Sequence, residues 1–290
     1  MVMKYSELYL AVRKALLRQE TPETAGMMAR HLLCTVSGKS QEKLLADMDL
    51  YAPETVCGET GEKLKRLLAG EPFAYVLGEW EFYGLPLYVD RNVLIPRDDT
   101  CAVTQMAIQK ALFLDSDPRI LDLCCGSGCI GLAIASRVKD ARVTLADISK
   151  EALTVAKKNI QRNHLGGRVS SVQVDARLPV SSFLGKFDMV VSNPPYVTDE
   201  EMEQLPESVR GYEPHLALEG GEDGLNFYRC IAENFAPALK PGGFLCFEFG
   251  MGQGDAVCKI LEETGYTVLK RAKDFNERER AVLAQYGRKE

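Results

Sequence analysis

The sequence predicts an α/β protein in which a doubly wound, mostly parallel sheet follows a small helical bundle and a β-hairpin. Three observations support this fold. Helical periodicity fills residues 1–75, aromatic residues alternate with polar ones within residues 76–97, and apolar runs alternate with helical segments over residues 98–290. Alternating strands and helices are typical of a parallel sheet covered by helices on both faces. We therefore expect a helical domain, a hairpin linker and an α/β domain with these bounds.

The first domain carries start and stop signals for four helices. Apolar residues from Leu8 to Leu17 recur at helical spacing. Thr21 followed by Pro22 is typical of a helix start, Ser40 marks the next one, and the fourth helix is predicted to end near Gly70. Acidic and basic residues are nearly balanced here. The bundle is therefore expected either to pack structurally or to dock a protein partner.

Aromatic residues alternate with polar ones and with glycines from Phe73 to Val89, which predicts the hairpin. Residues 93–97 follow it and are expected to reach the functional site. Seven strands are predicted after Thr100, at residues 119–125, 142–148, 169–175, 187–192, 244–249, 266–272 and 280–285. Helices are predicted between them, for example over residues 150–163 and 224–239. The last two strands leave no room for a helix, so they should pair antiparallel.

The composition excludes several classes of function. The 290 residues are 46% hydrophobic and 26% charged, with a formal net charge of −6. No apolar run approaches the roughly 18 residues of a membrane span, and the start lacks the apolar region of a signal peptide. We therefore expect a cytoplasmic protein with no membrane contact. The acidic balance argues against stable nucleic-acid binding, which normally requires a basic face.

The cysteines and histidines point away from metal chemistry. The chain has nine cysteines, but no Cys-x-x-Cys pair occurs, so reduced core thiols are expected. The three histidines, His31, His164 and His215, are scattered along the chain without metal-ligand spacing. No metal is therefore expected.

The tetrapeptide Asn193-Pro194-Pro195-Tyr196, here called the ledge, follows the predicted strand 187–192. Ligands of open α/β sheets bind beyond the carboxyl ends of the strands. The two prolines restrict the backbone, so the Asn193 side-chain oxygen and the Pro194 backbone oxygen can each accept one N–H of a planar NH₂ group. Tyr196 adds a flat face for stacking. The alternative is an ordinary proline turn at the end of a strand.

A glycine-rich turn and three strand-end acids indicate an adenosine-containing cofactor. Residues 124–128 turn sharply after the first strand, with Asp122 expected at the rim of the site. Asp147, about twenty residues on, is suited to the ribose hydroxyls, and Asp175-Ala176 are suited to flank the adenine. Dinucleotide-binding folds share such a glycine turn, so the turn alone does not show whether the cofactor carries phosphates.

The ledge favours S-adenosylmethionine, because this cofactor needs a nucleophile that faces its methyl group. An amide nitrogen is a poor nucleophile, and hydrogen bonds from its NH₂ to Asn193 and Pro194 should strengthen as positive charge develops. Two alternatives stay open. An adenine-N6 DNA or RNA methyltransferase would use the same ledge for a flipped base. The other alternative is a non-catalytic adenosine-nucleotide-binding module or an NAD-type dehydrogenase, in which the ledge would have no function.

Taken together, these motifs resemble the HemK/PrmC release-factor glutamine methyltransferases over essentially the whole chain. The shared motifs are Gly78 to Leu85, Val93 to Arg97, the glycine turn, Ser192 to Tyr196, Tyr212-Glu213-Pro214, Pro241-Gly242-Gly243 and Glu248-Phe249-Gly250. The resemblance implies a Rossmann-like class I methyltransferase fold with a seven-stranded, mostly parallel sheet. It also implies methylation of N5 of the glutamine in the Gly-Gly-Gln motif of peptide-chain release factors, with S-adenosylhomocysteine as the product. The helical domain would help to grip the release factor, and we expect a monomer.

The resemblance also assigns roles to individual residues. The catalytic residues would be Asn193, Pro194 and Tyr196, and the substrate glutamine would lie on Asn193, Pro194, Pro195 and Tyr196. The S-adenosylmethionine contacts would be Cys124, Cys125, Gly126, Ser127, Gly128, Asp147, Ala176 and Asn193. The chain departs from the family pattern in three places. Asp98 to Cys101 replace a proline and an acid, Cys124-Cys125 stand where Gly-Thr is common, and Ala176 stands where an aromatic residue often packs on adenine.

Overall fold

The computed structural model describes residues 3–114 and 117–287. They form two compact units. The first contains the residues up to Gly78 together with Glu207–Tyr212, and the second contains Glu79–Pro206 and the residues from Glu213 onward. Each unit has its own apolar core.

The helices, in chain order, are α1 (Tyr5–Leu16), α2 (Pro22–Ser37), α3 (Gln41–Ala46), α4 (Glu54–Leu68), α5 (Phe73–Leu77), α6 (Cys101–Ala111), α7 (Cys129–Arg137), α8 (Lys150–Arg162), α9 (Asp199–Gln204), α10 (Glu207–Arg210), α11 (Asn226–Asn234) and α12 (Gly254–Glu263). The strands are β1 (Glu79–Phe82), β2 (Leu85–Tyr88), β3 (Arg119–Leu123), β4 (Arg142–Asp147), β5 (Val169–Gln173), β6 (Phe187–Ser192), β7 (Val197–Thr198), β8 (Glu219–Gly221), β9 (Leu239–Glu248), β10 (Tyr266–Lys273) and β11 (Glu279–Tyr286). Short 3₁₀ turns lie at Asp98–Thr100, Ser182–Leu184, His215–Ala217 and Ala236–Ala238.

The predicted helix starts in the first unit are confirmed. The Thr21 hydroxyl accepts the N–H of Thr24 at 3.2 Å and caps α2, and Ser40 caps α3 in the same way. Both caps use a side-chain oxygen to satisfy an N–H that has no partner within the helix. The fourth helix ends at Leu68, close to the predicted stop at Gly70.

The prediction of alternating strand structure from Phe73 onward is wrong for its first residues. Phe73–Leu77 form helix α5, which begins after Pro72 and ends at Gly78 with φ of 80°. A five-residue helix is too short to show helical periodicity, and its aromatic residues resembled a strand pattern. The hairpin is confined to β1 and β2, which pair antiparallel.

The seven-stranded sheet of the second unit has the order β10-β11-β9-β6-β3-β4-β5. The five strands from β9 to β5 are parallel, and β10 and β11 pair antiparallel as predicted. The helix predicted over residues 224–239 is wrong at both ends. It ends at Asn234, because Pro237 cannot continue a helix, and β9 already begins at Leu239.

Successive residues of the buried strands face opposite cores. Leu121 and Val190 pack in the core that includes α11 and α12, whereas Ile120 and Met189 pack in the core that includes α6, α7 and α8. Both faces are covered, so these strands are almost continuously apolar, which explains why the sequence predicted them well. Their carboxyl ends meet at one edge of the sheet, where the candidate site lies.

Candidate active site

One pocket lies at the carboxyl ends of β3, β4, β5 and β6. Among the residues that line it are Asn92 to Leu94, Pro96, Arg97, Thr100, Cys124 to Ser127, Asp147 to Ser149, Val174 to Arg177, Asn193, Pro195, Pro214, Leu216, Ala217 and Phe227. The sequence placed the turn after β3, the strand-end acids and the ledge around one site. The turn, the ledge and two of the three acids, Asp147 and Asp175, contribute to the pocket wall, and so does the segment of residues 93–97 that follows the hairpin.

The glycine turn approaches the pocket with its main chain. Cys124 has φ of 59° and Gly126 has φ of 51°, both in the left-handed region that favours glycine. The N–H of Cys125 donates to the carbonyl of Ala146 at 3.0 Å, and the N–H of Gly126 donates to Asp147 Oδ2 at 2.8 Å. Gly128 is not among the lining residues. A Cβ at that position would lie 2.7 Å from Leu145 Cδ1, so Gly128 allows α7 to pack closely on the sheet.

The expectation that Asp122 lies at the rim is wrong, because its side chain is fully buried. Asp122 alternates with Leu121 and Leu123 and so points to the α7 face of the sheet. Its Oδ2 accepts the N–H of Gly131, in the first turn of α7, at 2.8 Å. Burial raises the pKa of Asp122 to about 7. A carboxyl group therefore already occupies the helix N-terminus on which dinucleotide folds bind a pyrophosphate.

Two further acids lie at the ends of β4 and β5. Asp147 lines the pocket, and its Oδ1 accepts the N–H of Ser149 at 2.9 Å. Burial raises the pKa of Asp147, although hydrogen bonds from backbone N–H groups oppose this shift. Asp175 forms a two-pronged ion pair with Arg177, at 3.0 Å and 2.9 Å, which holds the pKa of Asp175 low. Ala176, between them, is buried and also lines the pocket.

The ledge follows β6 directly. Asn193 Nδ2 donates to the Thr100 hydroxyl at 3.3 Å, which fixes the amide plane. Asn193 and Pro195 line the pocket, whereas Pro194 and Tyr196 are not among its lining residues. Tyr196 packs its ring against the core that includes α11 and α12, and burial raises the pKa of its hydroxyl. Tyr196 thus anchors the ledge from behind.

Contacts that the sequence did not predict hold the ledge and the segment of residues 93–97 in place. Gln253 Nε2 donates to the Tyr196 carbonyl at 3.0 Å, and Gln253 Oε1 accepts the N–H of Gly250 at 2.9 Å. The buried Glu213 carboxylate accepts the N–H of Ile95 at 3.1 Å and pairs with Arg97. Except for the local contact between Gln253 and Gly250, these partners are more than fifty residues apart in sequence, so no local pattern predicts them.

The charges of the pocket suit a positively charged cofactor without phosphates. Its charged lining residues are Arg97, Asp147, Asp175 and Arg177, and both arginines are paired with carboxylates. Asp147 keeps lone pairs for hydroxyl donors, and the exposed backbone of the glycine turn allows close approach. The residues present therefore fit S-adenosylmethionine. A pyrophosphate would find no free cation among the lining residues.

Fold, pocket and family models agree on a class of protein. Residues 103–212 match the family model described as "Methyltransferase small domain", so the second unit is an α/β methyltransferase of the Rossmann-like class. Residues 10–78 match the "PrmC N-terminal domain". A methyltransferase from Pyrococcus furiosus has the same fold, with a TM-score of 0.52 and 19% identity, covering 79% of this chain and all of that one.

Two curated relatives identify the family. The chain is 41% identical over 216 residues to a release factor glutamine methyltransferase from Clostridium acetobutylicum, which covers 74% of this chain and 75% of the relative. It is 35% identical over 272 residues to one from Geobacter sulfurreducens, which covers 93% of both chains. The chain therefore belongs to the release factor glutamine methyltransferase family.

Proposed function

We propose that this enzyme transfers a methyl group from S-adenosylmethionine to the side-chain nitrogen, N5, of the glutamine in the Gly-Gly-Gln motif of peptide-chain release factors. One observation carries the proposal beyond family membership. Asn193 lies at the pocket wall with its NH₂ group bound to Thr100, so its carbonyl oxygen is left to accept an N–H from a substrate. A carboxamide is a planar group whose NH₂ can satisfy that oxygen.

The ledge supplies the catalytic contacts. The Asn193 side-chain oxygen and the Pro194 backbone oxygen each accept one N–H of the substrate carboxamide. This holds the nitrogen lone pair towards the reacting methyl group. When bound, S-adenosylmethionine would supply that methyl group from its sulfonium and leave as S-adenosylhomocysteine, and the methylated nitrogen would then lose one proton to water. The two hydrogen bonds strengthen as positive charge develops on nitrogen, so they stabilise the transition state more than the bound substrate. Tyr196 keeps the ledge in position, and Pro195 forms part of the wall.

The cofactor is proposed to bind between the glycine turn and the ends of β4 and β5. Asp147 accepts hydrogen bonds from the ribose hydroxyls, Cys124 to Ser127 approach with their backbone, and Ala176 contacts the adenine. Gly128 contributes by allowing the turn to pack on the sheet.

Transfer is direct rather than through a cysteine. Burial raises the pKa values of Cys124, Cys125 and Cys129, so these thiols stay protonated at neutral pH. A thiol rather than a thiolate is a poor nucleophile. The substrate nitrogen is therefore the group that accepts the methyl.

The helical unit, whose residues 10–78 match the PrmC N-terminal domain, is proposed to dock the release factor. None of the described helices is both long and apolar enough to span a membrane. Action in the cytoplasm as a monomer, without stable binding to nucleic acid, stays a prediction.

A labelling experiment tests the proposed function. The protein is incubated with methyl-labelled S-adenosylmethionine and with either a release factor or an adenine-containing oligonucleotide. We expect label only on the release factor, with a gain of one methyl mass on the Gly-Gly-Gln glutamine. A release factor whose motif glutamine is replaced by alanine serves as the control and should stay unlabelled. Label on the oligonucleotide alone would overturn the proposal in favour of adenine methylation.

A further inference from the structure

The carboxyl group of Glu248 lies behind the ledge. Glu248 is the last residue of β9, the strand that pairs with β6 next to Asn193. Its side chain is 1% exposed, and its Oε2 atom has no hydrogen-bond partner among the residues that the structure describes. A buried carboxyl group with an unused oxygen is costly, because desolvation is not compensated. The function proposed above assigns no role to it.

Thr100 and Asn193 are the uncharged polar side chains that favour the ionised form of Glu248. The strand register places Glu248 beside Asn193, because Phe247 pairs with Ser192. Thr100 is 2% exposed, and its hydroxyl oxygen also accepts Asn193 Nδ2 at 3.3 Å. A hydroxyl has only one proton to donate. With Asn193 as donor to Thr100, the hydroxyl proton of Thr100 remains available to an acceptor such as the unpartnered Oε2 of Glu248.

We propose that Glu248 is a positioning residue that sets which end of the Asn193 amide faces the substrate. An ionised carboxylate only accepts hydrogen bonds, so it attracts the NH₂ end of the amide and repels the carbonyl end. The carbonyl oxygen of Asn193 is thereby directed to the substrate carboxamide. With the amide reversed, Asn193 would present its own NH₂ group to the substrate NH₂, and neither could accept. This inference rests on the proposed function, in which the Asn193 oxygen is the acceptor.

The surroundings of Glu248 bring the pKa of its carboxyl group close to neutral pH. Burial raises the pKa of Glu248 to about 7, while the polar side chains of Thr100 and Asn193 and the charge of Arg280 oppose the shift. Arg280 on β11 is itself neutralised by Asp99, at 3.0 Å, and by Asp274, at 3.3 Å. The titratable and charged groups that influence or are influenced by Glu248 are Arg280, Asp99, Tyr196, Tyr228, Cys101 and Cys129.

Protonation of Glu248 turns an acceptor into a donor. A protonated carboxyl group can bind the carbonyl end of the Asn193 amide and so favours the reversed orientation. Methyl transfer should therefore be lost as pH falls through about 7, with the loss in kcat rather than in cofactor affinity. Asp122 titrates in the same range but lies under the glycine turn, so its effect should appear in cofactor affinity.

The test compares wild type with Glu248→Gln, which keeps the shape and removes the titration. The control is Asp188→Asn, which removes a carboxylate at the opposite end of the ledge-bearing strand, where Asp188 pairs with Lys240. We expect kcat to fall roughly tenfold to 100-fold in the Gln variant, with an unchanged dissociation constant for S-adenosylmethionine and no acidic limb near pH 7. The control should keep the wild-type profile. A Gln variant within twofold of wild type, or with the wild-type acidic limb, would overturn the inference.

A spectroscopic measurement separates this inference from the proposed function. The side-chain NH₂ resonances of Asn193, assigned with Asn193→Ala, should shift with a midpoint near pH 7 in wild type and stay constant in Glu248→Gln. Thr100→Val, which removes the intervening hydroxyl, should weaken the shift. If no release factor is methylated but the shift occurs, the proposed function fails and the orienting contact stands. If methylation occurs without the shift, the role of Glu248 is refuted.

Discussion

The glycine turn and the ledge line the same pocket, but they are held by different kinds of contact. The turn is fixed within one strand-helix-strand segment, where Cys125 bonds to Ala146 and Gly126 bonds to Asp147. The ledge is fixed from far along the chain, by Thr100 on one side and by Gln253 on the other. Local contacts form whenever the segment folds, whereas the ledge depends on the whole α/β unit. We therefore expect changes in the two regions to affect different steps of the reaction.

Replacement of Asn193 is the largest expected effect. Asn193→Ala removes the substrate acceptor, and loss of one such hydrogen-bonding group costs roughly 100-fold to 1,000-fold in kcat. Steady-state methylation of a release factor would measure it. Affinity for S-adenosylmethionine should change little, in contrast to Asp147→Ala, which should weaken cofactor binding with a smaller effect on kcat at saturation.

The surface residue Asn163, whose side chain bonds to the Pro86 carbonyl, provides the matched control. Asn163→Ala should leave both constants unchanged. If Asn193→Ala weakened cofactor binding as much as turnover, the division between the two regions would be wrong.

The next largest effect is expected at Gly220, which packs behind the ledge. A Cβ at this position would lie 2.6 Å from Tyr196 Cα and 2.9 Å from Gly224 Cα. Both neighbours are backbone atoms, so Gly220→Ala must displace the ledge. We expect a loss of about 1–3 kcal/mol in the free energy of unfolding and roughly 100-fold in methyl transfer. Urea unfolding and steady-state kinetics measure the two quantities.

Gly166 is the control for Gly220, because a Cβ there meets only Ile160 Cγ2 at 4.0 Å. Gly166→Ala should leave turnover unchanged. Full activity in Gly220→Ala would show that the ledge tolerates displacement and is less rigid than its contacts indicate.

The same contrast explains what the sequence could predict. Buried parallel strands carry largely apolar runs, so β3 and β6 were located to within two residues. The glycine turn and the strand-end acids follow their own strands. Thr100, Glu213 and Gln253 lie far from the groups that they hold, and no local pattern marks them. Two-residue and three-residue strands such as β7 and β8 are too short for periodicity to reveal.

Asp122 shows a different limit of prediction from sequence. Its position near a strand end suggested an exposed carboxylate, but strand alternation turns it towards α7, where it is buried. The sequence motif therefore located the segment correctly but predicted the wrong role for the Asp122 side chain.

An intermediate effect is expected from Asp122 and depends on pH. The pKa of Asp122 is raised to about 7 by burial, so its contribution to the free energy of unfolding is full below about pH 4 and is lost as pH rises through 7. Asp122→Asn abolishes this dependence. The free energy of unfolding of the variant minus that of wild type should be larger at pH 8 than at pH 5, by on the order of 2 kcal/mol. Urea midpoints at the two pH values measure it.

Glu248 contributes a slope of the same sign to both proteins, so the difference between them isolates Asp122. An equal difference at pH 5 and pH 8 would show that Asp122 does not titrate in this range. The helix N-terminus would then hold a permanently charged or permanently neutral carboxyl group.

The smallest effect is expected at Gln253, and it bears most directly on how the ledge is supported. Gln253→Ala removes the donor to the Tyr196 carbonyl and the acceptor for the Gly250 N–H, and it leaves both backbone groups without their partner. The Asn193 contact to Thr100 and the pairing of β7 with β8 persist, so the ledge should loosen rather than collapse. We expect kcat to fall roughly tenfold with an unchanged cofactor affinity.

Gln285 is the matched control for Gln253. Its side chain bonds to the Gly242 carbonyl at 2.8 Å in the same sheet, and Gln285→Ala should keep full turnover. Equal losses in the two variants would mean that general loosening of the sheet, rather than support of the ledge, limits methyl transfer.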